Sequence, residues 1–140
     1  MTGIQLSKLI YQILCSVDEI TNIVGENIFP LIAEADTQFP FIVYKRTNIT
    51  PSYTKDFLAY DTVDYEIVCV SDKYSQTIDL ADLVRDTIEG LHNTQLLSSV
   101  VTYVTEDFLT DCYVQRIGFQ FKVKVLFKTH KYIKHNIIIS

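Results

Sequence analysis

From Arg116 to Lys128 the chain alternates almost throughout. Ile117, Phe119, Phe121, Val123, Val125 and Phe127 fall on one parity; Arg116, Gly118, Gln120, Lys122, Lys124 and Lys128 fall on the other. Side chains on a strand point to opposite faces with a period of two. A strand over about 112–129 therefore buries one face and turns a basic stripe outward. This element demands a sheet with a single covered face, and the rest of the chain must supply the cover.

A second strand, about 59–70, has the same logic: Val63, Tyr65, Ile67 and Cys69 share one face, and Asp64 and Glu66 the other. If Asp64 and Glu66 lie across from Lys122 and Lys124, the basic stripe is partly neutralised by cross-strand pairs worth a few tenths to about 1 kcal/mol each. The cover comes from two segments with helical spacing. Ile4, Leu6, Leu9, Ile10, Ile13, Leu14 and Val17 form a stripe over about 4–15, and Ile78, Ala81, Val84, Ile88 and Leu91 form another over about 75–91. Ser16 and Glu19 have capping-box spacing, which predicts a short second turn ending near Gly25.

Residues 27–34 contain Pro30 and read as an edge strand. A strand at 40–47 and another at 99–106 complete the set. Residues 48–58 (NITPSYTKDFL) lack a period and read as a long projecting loop. The fold class expected is α+β: a mainly antiparallel sheet of four to five strands with two helices packed on one face, in the order α-β-β-β-α-β-β. At 140 residues one core suffices. Residues 1–130 are expected to form a single domain and 131–140 an extension in contact with another subunit or partner.

The stretch "FPFIVYKR" (39–46) breaks the alternation, since Phe41, Ile42, Val43 and Tyr44 are all apolar. Both faces of this strand must be covered, one by the helices and the other by a neighbouring subunit. Ile42, Tyr44, Lys45 and Arg46 are accordingly candidate interface residues. They are joined by Tyr53 on the projecting segment, Lys122 and Lys124 on the basic stripe, and Tyr132, Ile137, Ile138 and Ile139 near the C-terminus, where a free tail would not ordinarily end in three isoleucines.

The sequence offers little reactive chemistry. The four glycines form no phosphate-binding pattern, and His92, His130 and His135 are too few and too spread for a helical metal site, so neither cofactor nor metal is expected. Cys15, Cys69 and Cys112 include no C-x-x-C pair, which fits a reducing compartment, and Cys69 sits on the core face, as an inert thiol does. Asp79, Asp82 and Asp86 read as a solvated helix face beside Arg85. No signal peptide is evident and no run approaches 18 apolar residues, so no membrane association is expected. Charge is unevenly placed. Residues 112–140 carry six bases and no acid, and residues 1–111 carry all 17 acids against six bases. Such a chain suits docking between copies of itself or a basic face laid on a polyanion.

Two stretches, "NIFPLIAEADTQFPFIVYKRT" and "VDYEIVCVSDKYSQTIDLADLVRDTIEGL", resemble the tail completion, or tail-to-head joining, proteins of tailed bacteriophages, over roughly residues 4–91. The resemblance implies a structural virion protein without turnover, assembled in the host cytoplasm. It implies a ring, commonly a hexamer, at the head-proximal end of the tail tube, in contact with the tube protein and the head connector, with DNA passing through its lumen. The alternative is a soluble binding module that uses the basic sheet face for an anionic partner such as nucleic acid.

Overall fold

The computed structural model describes residues 1–55 and 58–126. The chain opens with helices α1 (Leu6–Ser16) and α2 (Asp18–Val24), followed by strands β1 (Ile28–Pro30), β2 (Phe41–Tyr53) and β3 (Leu58–Ser71). Helix α3 (Tyr74–Ile88) and strands β4 (Leu96–Leu109) and β5 (Cys112–Leu126) complete it. The fold is α+β, as the patterning predicts. The five strands lie in the order β1-β2-β3-β5-β4, with every pair antiparallel except β1 with β2.

One face of the sheet makes the core. Ile42 and Tyr44 from β2, Val63, Tyr65, Ile67 and Cys69 from β3, and Ile117, Phe119, Phe121 and Val123 from β5 pack under Leu6, Ile10 and Leu14 of α1, Ile20 and Val24 of α2, and Leu80, Val84 and Ile88 of α3. The four-residue spacing in α1 aligns its three anchors on one side, and burying each side chain contributes about 1.5–3 kcal/mol. Tyr65 meets Phe121 edge-on, with ring centroids 5.6 Å apart, and its hydroxyl is hydrogen-bonded to Ser7 of α1, so this buried aromatic is satisfied at both ends.

The structure departs from the sequence reading in three places. The short second helical turn is present as α2 and ends at Gly25 as expected, but it has no capping box: Ser16 Oγ donates back to the Ile13 carbonyl at 2.7 Å, and Val17, in extended conformation, is the N-cap of α2. Asp18 and Glu19 still favour the positive end of that helix. The segment read as a projecting loop is mostly strand, since β2 continues to Tyr53 and pairs with β3 as far as Ala59. A bulge at Thr47, between Arg46 and Asn48, shifts the parity and hides the period, and Pro51 is tolerated because β1 pairs only with Ile42 to Tyr44, which leaves β2 an edge at that point. Finally, Asp64 lies opposite Gln120 and Glu66 opposite Gly118, whereas Lys122 and Lys124 lie opposite Thr62 and Tyr60. The expected acid-to-lysine pairs do not form.

Candidate functional site

Placement of Ile42 and Tyr44 in the core decides which side of the four-residue apolar run faces out. Ile42 is fully buried, and Tyr44 is buried with its ring 6.1 Å from that of Tyr11 on α1. Their assignment as interface residues is therefore corrected: they pack against the chain's own helices, and Phe41 and Val43 turn to the open face of the sheet. Register with β3 sets this, because Ile42 faces Cys69 and Tyr44 faces Ile67, both core residues, whereas Phe41 faces Val70 and Val43 faces Val68. Val70 in turn lies opposite Val114 of β5. Phe39 stacks on Phe41 at a centroid distance of 5.8 Å and extends this apolar end beyond the strand.

The middle of the open face is polar and internally paired. The Tyr103 hydroxyl of β4 donates to Glu66 Oε2 at 2.6 Å, and Arg116 Nη1 is 3.9 Å from Glu66 Oε1. Gln120 Nε2 donates to Asp64 Oδ1 at 3.1 Å. Partial burial and the adjacent Glu66 carboxylate push the Tyr103 phenol up to about 12. Gly118 makes room for this arrangement, since a Cβ there would lie 2.0 Å from the Tyr103 ring. Farther along, Lys122 Nζ sits 4.7 Å above the Tyr60 ring, a cation–π contact. The basic stripe is thus interrupted by Asp64 and Glu66, and Lys122 is already engaged.

The other candidates are spread out. Lys45 is exposed opposite Glu66, while Arg46, on the helix side, donates through Nη1 to the Ile4 carbonyl at 3.3 Å. Tyr53 is exposed at the end of β2, and the backbone N–H of Lys124 donates to the Gln95 carbonyl at 2.8 Å. Tyr132, Ile137, Ile138 and Ile139 lie outside the described residues.

Two features escaped the sequence reading. One is the outer strand β4, where Val100, Tyr103, Val104, Phe108 and Leu109 are all substantially exposed. The other is a groove of about 940 Å³ between α1, the end of α2 and β1, lined by Tyr11, Phe29, Pro30 and Tyr44 with the carboxylates of Glu26 and Glu34. Exposed apolar residues in β4 are visible in the sequence, but only the strand order shows that β4 is an edge. The groove joins residues too far apart in the chain for any motif to reveal.

Chemistry at the remaining titratable groups is limited. Cys69 is fully buried and burial pushes its thiol up to about 12, the reverse of what a nucleophile requires. His92 is exposed, with Nδ1 3.1 Å from the Gly90 carbonyl. Asp79, Asp82 and Asp86 are exposed on α3. Among the described residues no cluster of His, Cys, Asp and Glu is placed to hold a metal ion, and no helix is long and apolar enough to cross a membrane. What the molecule presents is surface: an open sheet face with an apolar end, a strand edge and a groove.

Comparison with known proteins agrees with that emphasis. The family described as tail completion protein gp17 matches residues 8–125. No curated protein matches the chain. Among solved structures, one chain of a virion of a native gene transfer agent (GTA) particle shares the fold with a TM-score of 0.72. It is 14% identical, and the match covers 83% of this chain and 92% of that one.

Proposed function

Because the chain belongs to the tail completion protein family, whose members are structural parts of phage virions, we propose that six copies form a ring at the head-proximal end of the tail tube. The ring ends the tube, offers a docking surface to the head connector, and lets DNA pass through its lumen without reading its sequence. The observation that carries this reading is the family match over residues 8–125. The fold shared with a chain of a gene transfer agent virion is consistent with it. The surfaces support it physically. A ring requires two different patches on each subunit, and the apolar end of the open sheet face, where Phe41, Val43 and Val68 are partly exposed over the buried Val70 and Val114, offers one of them.

The test is mass and symmetry. Light scattering on the purified chain, and electron microscopy of isolated tails, should find a sixfold particle of about 97 kDa, six times the 16.1 kDa of one chain. A species that stays at 16.1 kDa in solution and shows no ring on tails would refute the assembly.

A further inference from the structure

We propose that residues 127–140 of one copy seat in the groove beside β1 of the next copy, with their lysines toward Glu26 and Glu34 and their isoleucines on the apolar floor. This inference rests on the ring reading and specifies one of its contacts. Two complementary compositions support it. Among the described residues the groove lining includes two carboxylates and no Lys or Arg; Lys8 borders only the smaller hollow that adjoins it across Tyr11 and Tyr44. The segment 127–140 carries Lys128, Lys131 and Lys134, no acid, and Ile137, Ile138 and Ile139. A groove of about 940 Å³ is at the upper end of the range of about 300–1,000 Å³ typical of ligand sites, room for several side chains.

The rim of the groove is unfinished in a single copy. Just past Pro30, Leu31 and Ile32 are 69% and 78% exposed, and Leu31 is held at a φ of 68°, in the left-handed region that a branched residue ordinarily avoids. Leu31 N–H donates to the Tyr44 carbonyl at 2.9 Å, which fixes this turn against the floor of the groove.

Chain reach argues for a neighbour's groove over the chain's own. Leu126 pairs with Leu58, whereas the row through β1 runs from Ile28 to Ile42 to Cys69 to Gln115. Eleven residues of β5 separate these rows, about 36 Å at about 3.3 Å per residue. Lys131, five residues past Leu126, reaches at most about 18 Å. It cannot meet Glu26 or Glu34 of its own chain; Ile137 to Ile139, at most about 40–47 Å past Leu126, come within reach of that groove, so only a neighbour's groove takes Lys131 and the isoleucines together.

Cys15 lines the groove and is exposed, so it can report the contact. In the full chain carrying Cys112→Ser and Ile138→Cys, mild oxidation of the assembled ring should join position 138 to Cys15 of another copy. The result is read as covalent multimers on a denaturing gel, with the linked peptides identified by mass spectrometry. A ring that forms without this link, or with the link confined to single chains, overturns the inference and leaves the ring standing; a chain that never assembles refutes both. The charge contact has its own test. Glu26→Lys with Glu34→Lys should weaken self-association about tenfold, and adding Lys131→Glu with Lys134→Glu should restore it. Reversal without restoration overturns the assignment.

Discussion

Strands β3 and β5 carry two faces one residue apart with opposite fates. Toward the helices, Tyr65, Ile67, Phe119 and Phe121 are at most 1% exposed and belong to the apolar core, with the Tyr65 hydroxyl hydrogen-bonded to Ser7. On the other face, Asp64, Glu66, Gln120 and Arg116 pair with one another and with Tyr103, at a surface that no described helix covers. The difference separates two tasks. The helix-covered face holds most of the core together, and the exposed positions of the open face are freer to vary their side chains. Substitution at Ile42 tests the first half of that statement most severely. Ile42→Asp places an unpaired carboxylate among Cys69 and the helices, at a cost of about 4 kcal/mol or more against a total stability of about 5–15 kcal/mol. The chain should lose its cooperative thermal transition by circular dichroism. A variant that melts within a few degrees of the parent would show that Ile42 is not core.

The contrast between faces is also where sequence reading succeeded and where it stopped. Alternation in β3 and β5 and the helical stripes of α1 and α3 are local patterns, so the α+β class and most of the core were legible. The run from Phe41 to Tyr44 has no period, and which pair faces inward depends on pairing with Cys69 and Ile67, residues some 25 positions away. The bulge at Thr47 similarly turned a regular strand into an apparent loop. Candidate surfaces fared worse, because the open face is defined by what fails to cover it and the groove by elements that meet only in three dimensions. Ser16 and Glu19 show the complementary error: their spacing fits a capping box, yet Ser16 is still the last residue of α1 and bonds backward.

A milder break falls at Gly118, where the open face depends on a missing side chain. The added methyl of Gly118→Ala would lie 2.0 Å from the Tyr103 ring, so the ring must swing off Glu66. Overpacking and the lost hydrogen bond together cost about 1–2 kcal/mol, measured as a shift in the urea midpoint. Titration gives an independent reading. Tyr103 in the fold ionises at about 12, above the value near 10 of an unfolded tyrosine. Its contribution to stability is therefore fully present below pH ~10 and is lost as pH rises through about 12. Absorbance titration of Gly118→Ala should move one late-ionising tyrosine toward 10; an unchanged curve would mean that the ring keeps its place.

The smallest effect on stability, and the sharpest test of the comparison, comes from the residue next to Ile42. Val43 lies opposite Val68 on the open face and is already partly in contact with water. A carboxylate there keeps part of its hydration, so Val43→Asp should cost about 1 kcal/mol and leave the circular dichroism spectrum unchanged. Ile42→Asp and Val43→Asp thus place the same charge on adjacent residues of one strand, and only the first should unfold the chain. If the apolar end of the open face is a ring contact, Val43→Asp should still reduce the sixfold species in light scattering, because a charge set against an apolar patch is desolvated only when the neighbour arrives. A folded Val43→Asp variant that assembles as well as the parent would remove this patch from the contact and leave the groove and the β4 edge as the remaining surfaces.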